Sequence, residues 1–137
     1  MNTRNKQPTK DDIDRILAFL PIFERADFKA AQWIFYGELE DGSIPMPYCD
    51  YSPAVIEFVT VLEETGFLIC FDWCSWEQSS ELDDIERIKT ADIETLRKLL
   101  TYYVRCDRYC EGHLAVVFET GCIKAILNRL KALATDL

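Results

Sequence analysis

Apolar residues recur every three or four positions along much of the chain, the spacing that places them on one face of an α-helix. The first such stripe comprises Ile13, Ile16, Leu17 and Leu20. Thr9 precedes it as a candidate N-cap, and Pro21 ends or kinks the helix. A second helix begins with Ser52 as its cap and Pro53 at its first position, and Gly66 follows its end. Its buried face would consist of Val55, Phe58, Val59 and Leu62.

The C-terminal third has the strongest helical periodicity. It predicts one helix starting at Asp92, a second over about 112–120 stopped by Gly121, and a third over 122–134. The intervening loops are short, so these helices should pack antiparallel or at an angle. Before them, residues 67–76 are dense in aromatics and are expected to be extended, and Ser80 with Asp83 resembles a capping box for a short helix reaching Lys89.

Strand-forming residues replace the helical pattern after Gln32. Residues 33–36 favour a strand, Asp41-Gly42 predicts a turn, and residues 44–48 could return as a second strand. Pro45 and Pro47 confine that second strand to a sheet edge or to irregular structure. The predicted fold is mainly α (α+β), with five to six helices and a short β-hairpin near residues 33–49. Residues 1–8 are expected to form a flexible tail, and residues 9–137 a single globular domain.

The charge distribution narrows the choice of partners. The 137 residues are 49% hydrophobic, enough for one domain with a core, and the net charge is −9. Residues 97–131 carry seven basic against three acidic residues, whereas the rest of the chain carries eight against 21. Direct nucleic-acid binding is therefore disfavoured. The two parts are expected to attract each other, with a local anion site near the C-terminal helices as the alternative.

Neither a membrane segment nor a secretory leader is expected. No apolar run approaches the ~20 residues that span a bilayer, and residues 1–10 lack an apolar signal core. We therefore predict a cytoplasmic protein without a membrane partner, in which the six cysteines are reduced thiols.

The most unusual segment, residues 103–114, reads Tyr-Val-Arg-Cys-Asp-Arg-Tyr-Cys-Glu-Gly-His-Leu. Helical phasing places Asp107 in the apolar stripe of Leu96, Leu100, Tyr103 and Val104, so its carboxylate should point inward and needs partners. The favoured interpretation is a buried cap or ion pair that fixes the following turn. The alternative is an acid or base with a shifted pKa.

Other residues of this segment also have two interpretations. Arg105 and Arg108 are solvated arginines at a helix end or an anion-binding pair. Gly112 permits a tight turn or the close approach of another backbone. His113 is a hydrogen-bonded core group or, oriented by Asp107 or Glu111, a general base, and a Cys/His pair with Cys106 or Cys110 is a further possibility.

The spacing Cys70-x3-Cys74 and Cys106-x3-Cys110 brings two thiol pairs into consideration as metal ligands. Structural zinc sites more often separate their cysteines by two or four residues, so scattered thiols without a metal or cofactor are favoured. An aromatic pocket is a weaker possibility than ordinary packing. Its lining would be Trp33, Tyr48, Tyr51, Trp73 and Trp76.

The motif Tyr103-Val104-Arg105-x-Asp107-Arg108-x-x-Glu111-Gly112-His113-Leu114 resembles an uncharacterised prokaryotic family. The segments 46–48, 51–53, 71–73, 118–121 and 126–130 share this resemblance, which spans about 11–133. It implies no activity, substrate or catalytic residue, since the family has none assigned, and paired Cys-x3-Cys elements are not part of its pattern.

Three functions follow from these observations. The favoured one is an interaction or accessory module, with an unknown protein or small-molecule partner, whose Arg, Asp, Glu and His residues brace the C-terminal helices. The second is a small hydrolase-like or anion-binding enzyme using Asp107, Glu111 and His113 as acid and base groups. The third is an acidic mimic of nucleic acid, which requires the carboxylates to gather on one face. Whether the chain is an enzyme is left open.

Overall fold

The computed structural model describes residues 7–76 and 84–135. Of the described residues 54% are helical, and two short strands pair as an antiparallel hairpin, so the predicted mainly α class is confirmed. The chain order is α1 (Lys10–Leu17), α2 (Leu20–Phe23), β1 (Ala31–Ile34), β2 (Tyr48–Tyr51), α3 (Pro53–Glu64), α4 (Ile85–Ile88), α5 (Ile93–Asp107), α6 (His113–Glu119) and α7 (Cys122–Ala134).

Local capping signals set the starts of three helices. Thr9 and Asp12 form a reciprocal capping box at α1, while Ser52 and Asp92 accept backbone N–H groups at the starts of α3 and α5. The predicted stripe around Pro21 divides into α1 and the single turn of α2, with the proline in the first turn of α2. These caps agree with the sequence prediction.

The helices enclose one apolar core. Phe23 lies at its centre, and its ring contacts Phe58 at 5.1 Å and Phe118 at 4.9 Å between centroids, both edge to face. Arg97 is also buried, and its guanidinium donates hydrogen bonds to the carbonyls of Gly66 and Phe67 just after α3. The arginine thereby ties the loop that follows α3 to the middle of α5.

The two strands of the hairpin lie farther apart along the chain than predicted, because β1 begins two residues earlier than the expected 33–36 and β2 begins four residues later than the expected 44–48. Its strands pair Ala31 with Tyr51 and Ile34 with Tyr48, so the second strand begins where residues 44–48 were expected to end. Pro45 and Pro47 explain the shift, since neither can donate to a strand ladder. The predicted turn is present, with Gly42 at φ +86°.

The segment between α3 and α5 differs in part from its predicted structure. Residues 67–76 form no strand; they are irregular apart from a 3₁₀ turn over Trp73–Ser75. The predicted capping pair Ser80 and Asp83 lies outside the described residues, and Asp84 caps α4. Most of the predicted tail is likewise outside them. Among the described helices, none is both long enough and apolar enough to traverse a bilayer.

Candidate functional site

The junction between α5 and α6, residues 107–114, contains most of the residues that the sequence singles out. Gly112 is the N-cap of α6 and adopts φ +90°. A Cβ atom built there would lie 2.4 Å from Cζ2 of Trp33, a residue of β1. Glycine is therefore required twice, for the left-handed backbone and for the aromatic ring that lies against it. The close neighbour is a side chain of the hairpin, whereas the sequence suggested another backbone.

Asp107 and Tyr51 together cap the N-terminus of α6. The Leu114 N–H donates to Oδ1 of Asp107 at 3.1 Å, and the Ala115 N–H donates to the Tyr51 hydroxyl at 3.2 Å. That hydroxyl in turn donates to Oδ1 of Asp107 at 2.5 Å. Gly112 offers no capping side chain, so these two residues satisfy amides that α6 would otherwise leave unpaired. Asp107 thus accepts hydrogen bonds at the turn, as its structural interpretation requires.

The environment of Tyr51 keeps its hydroxyl protonated. Burial raises the pKa of Tyr51 far above its ordinary value, and the hydrogen bond to Asp107 and the charge of that carboxylate raise it further. A neutral hydroxyl can donate to Asp107 and accept from Ala115 at the same time. The Tyr51–Asp107 contact is therefore a fixed connection between the hairpin and the helices across the neutral pH range.

Glu111 forms a second connection between the junction and the hairpin. Its Oε1 accepts the backbone N–H of Cys49 at 3.2 Å, on the side of β2 that faces away from β1. Burial raises the pKa of the Cys49 thiol, so this cysteine stays protonated beside the two carboxylates of the junction. Trp33, Cys49 and Tyr51 of the hairpin thus all meet the junction.

The two arginines of the motif do not reach Asp107. Arg105 and Arg108 lie 3.6 and 4.0 Å from Oε1 of Glu63 on α3, so the pair tethers α5 to α3. These contacts are partly exposed and contribute little to stability. A cavity of about 280 Å³ beside Arg108 is lined half by aliphatic residues and half by Tyr51, Thr60, Glu63, Asp107 and Arg108.

His113, the only histidine, does not lie with Asp107 and Glu111 at the hairpin. Its ring packs against Tyr102 and Tyr103 with centroid separations of 6.5 and 6.3 Å. Its Nε2 atom is buried and has no hydrogen-bond partner within the described residues. The structure therefore brings Asp107 and Glu111 to the hairpin and directs His113 toward the aromatic face of α5.

The thiols do not gather into a metal-ligand set. Over residues 7–76 and 84–135, no group of three or more His, Cys, Asp or Glu side chains is placed to hold a metal ion, and this includes the candidates Cys70, Cys74, Cys106 and Cys110. Burial raises the pKa of Cys106, with Cys74 and Cys110 nearby adding to the effect. All six cysteines lie in the described residues, and none forms a disulfide.

The hairpin itself carries the feature that the sequence analysis missed. Seven of the ten large apolar side chains that are exposed in the described residues belong to it. We call them the hairpin patch: Trp33, Phe35, Tyr36, Leu39, Ile44, Met46 and Tyr48. Phe35 is 74% exposed and Met46 is 85% exposed. The available signal was a run of large apolar residues with no helical period, interrupted by Gly37, Gly42 and two prolines.

The chain belongs to DUF6508, a family of unknown function, which it matches over residues 8–136. The expected membership of an uncharacterised family is thus confirmed at that level. No curated protein and no solved structure matches the chain.

Proposed function

We propose that this chain is a protein-interaction module that binds its partner through the hairpin patch. The observation that carries the proposal is the concentration of exposed large apolar side chains on one short hairpin. Such patches on folded proteins commonly mark binding surfaces, because exposing apolar area to water costs about 25 cal/mol for each Å². Aromatic residues and methionine are also the types enriched in protein interfaces.

The mounting of the hairpin supports the same proposal. Trp33 lies against Gly112, the Cys49 N–H bonds Glu111, and Tyr51 bonds Asp107. Three contacts from both strands thus hold the strands on the helices, which fixes where the connecting segment 35–47, with most of the patch, leaves the domain. A surface held in its binding conformation loses less entropy on association than a mobile loop does.

The enzymatic alternative has weaker support from the geometry. Oδ1 of Asp107 accepts two hydrogen bonds within the junction, and Oε1 of Glu111 accepts a strand amide. The Nε2 atom of His113 has no bond to either carboxylate in the described part of the chain. The three candidate acid and base groups thus lie in separate environments. This favours a structural role for the two carboxylates, as a brace at the helix junction, over acid–base catalysis.

The cytoplasm is the compartment that we propose for this module. Its six cysteines, none in a disulfide, suit a reducing environment. Burial raises the pKa of the Cys49 and Cys106 thiols, which keeps these two cysteines protonated and slow to react.

Site-specific photocrosslinking tests the proposed surface. A photoreactive amino acid would replace Phe35 in the hairpin patch. The control places it at Val116, a residue of α6 whose side chain is 55% exposed. We expect one defined protein adduct from Phe35 in cells of the source organism and none from Val116. The purified partner should then bind the Met46→Ser variant at least about tenfold more weakly, or ~1.4 kcal/mol, than Val116→Ser. Equal adducts at both positions, or equal affinity of both variants, would contradict the proposal.

A further inference from the structure

The register of the hairpin determines which backbone groups face outward. Ser52 donates its N–H to the Ala30 carbonyl, which makes that pair hydrogen-bonded. Because hydrogen-bonded and non-hydrogen-bonded pairs alternate in antiparallel strands, the pairs Ala31–Tyr51 and Trp33–Cys49 are of the second kind. Their N–H and C=O groups therefore point away from the opposite strand.

The two outer edges of the hairpin differ. On β2, the outward N–H of Cys49 is bonded to Glu111 of the junction. On β1, the outward peptide groups of Ala31 and Trp33 have no hydrogen-bond partner among residues 7–76 and 84–135. An edge with unpaired donors and acceptors is a template for another strand. Because Glu111 of the junction already lies against the β2 edge at Cys49, β1 is the edge that we consider as the acceptor.

The charge of the hairpin indicates what kind of strand fits that edge. Residues 31–51 contain Glu38, Glu40, Asp41 and Asp50 and no lysine, arginine or histidine. A second copy of the chain would bring two such acidic hairpins together, in a protein whose net charge is already −9. A basic segment would instead be attracted to the edge.

A concavity lies beside β1 at one end of this edge. It has a volume of about 490 Å³, and its walls include Ala31, Phe28 of the preceding loop and Phe118 of α6. Charged residues of both signs also line it: Glu24, Arg25, Lys29, Glu119 and Lys124. An apolar side chain of the added strand, and not one of its basic ones, therefore suits this space. Alternate side chains of an added strand point to the same face, so one of them could enter this space while its backbone pairs with Ala31.

We infer that β1 accepts an extended, basic segment of a partner protein as an added antiparallel or parallel strand. The backbone of Ala31 and Trp33 supplies the hydrogen bonds, and the hairpin patch supplies apolar contacts to alternate side chains. This inference rests on the proposed function and adds its mode of binding. It is distinct from that proposal because the patch could also bind a folded surface without strand pairing.

Peptide binding to the full chain tests this inference. The probe is a peptide of alternating lysine and valine. A peptide of alternating glutamate and valine tests the role of charge. Two further lysine–valine peptides test strand pairing: one is N-methylated at every lysine, and the other is N-methylated at every valine. In a strand, alternate N–H groups face the neighbouring strand, so one N-methylated form should lose binding at least about tenfold while the other retains it. The glutamate peptide should bind at least about tenfold more weakly than the lysine peptide at low salt.

Hydrogen exchange supplies the readout on the protein. On addition of the lysine peptide, exchange at the Ala31 and Trp33 amides should slow at least about tenfold, whereas the Cys49 amide, already bonded, should change little. Ala31→Pro removes an outward N–H without removing a ladder bond, so it should weaken peptide binding and leave the helical circular dichroism signal intact.

Several outcomes would overturn the inference. They are equal binding of both N-methylated peptides, equal binding of the glutamate peptide, and no peptide binding. A dimer in sedimentation that Ala31→Pro converts to a monomer would also overturn it, because the occupant would then be a second copy. If the peptides fail but crosslinking from Phe35 persists, the strand mode is wrong and the interaction surface remains. If both fail, the proposed function fails as well.

Discussion

Removal of the Tyr51 hydroxyl should destabilise the fold by more than an ordinary surface change. Tyr51→Phe deletes the donor to Asp107 and the acceptor for the Ala115 N–H. A hydrogen bond to a charged group contributes about 1.5–3 kcal/mol, and the uncapped amide adds to the loss. We therefore expect a loss of about 2–3 kcal/mol in the free energy of unfolding, which corresponds to roughly 6–12 °C in Tm for a chain of this size.

The matched control is Tyr109→Phe, because Tyr109 is 82% exposed and lies just beyond α5. Urea unfolding followed by circular dichroism should give a change within about 0.5 kcal/mol for that variant. A loss for Tyr51→Phe no larger than for Tyr109→Phe would refute the argument that the hydroxyl caps α6 and holds the hairpin.

The pH dependence of unfolding provides a second measurement on the same pair. Since the pKa of Tyr51 is raised in the folded state, the unfolded state loses this proton first as the pH increases. The stabilising contribution is therefore complete below the unfolded pKa of about 10 and declines above it, at up to about 1.4 kcal/mol for each pH unit. Tyr51→Phe should show a shallower alkaline decline than the unmodified chain. Identical slopes for the two proteins would contradict the assigned environment of Tyr51.

Three further substitutions test the junction and the caps. Gly112→Ala should cost about 2–4 kcal/mol in urea unfolding, because of its positive φ and the clash with Trp33, whereas Gly37→Ala, with a positive φ but open space, should cost about 1 kcal/mol. Asp92→Ala should cost about 1 kcal/mol at neutral pH. Its hydrogen bonds to Thr95 lower the pKa of Asp92, so the difference should vanish as the pH falls through that lowered pKa. His113→Leu should leave Tm unchanged or raise it, since it removes a buried Nε2 that has no hydrogen-bond partner in the described part of the chain. A fall of several degrees would contradict this reasoning.

The helices could be predicted because their signals act within one or two turns. Thr9, Ser52 and Asp92 each cap the amide three residues ahead, and Gly121 ends a helix through its own backbone conformation. The inward direction of Asp107 could also be read from helical phase alone. These features depend only on residues that are close together in the sequence, so the sequence alone is enough to predict them.

The partners of the junction could not be predicted, because they depend on contacts between distant segments. Asp107 meets Tyr51 across 56 positions, and Glu111 meets Cys49 across 62. Arg105 lies beside Glu63 and not beside the nearer Asp107. The same holds for the hairpin. Its strand-forming residues could be recognised in the sequence, but the exposure of the hairpin patch depends on which face of the hairpin packs against the helices.

The glycine at the start of α6 links the helix to the hairpin. A serine or aspartate at position 112 could cap the helix locally, but its Cβ would collide with Trp33. With glycine there, the amides of Leu114 and Ala115 depend on Asp107 and on a hydroxyl from the hairpin. Displacement of the hairpin would therefore leave the Ala115 amide unpaired at the first turn of α6. This dependence couples the position of the proposed binding surface to the stability of the helix beneath it.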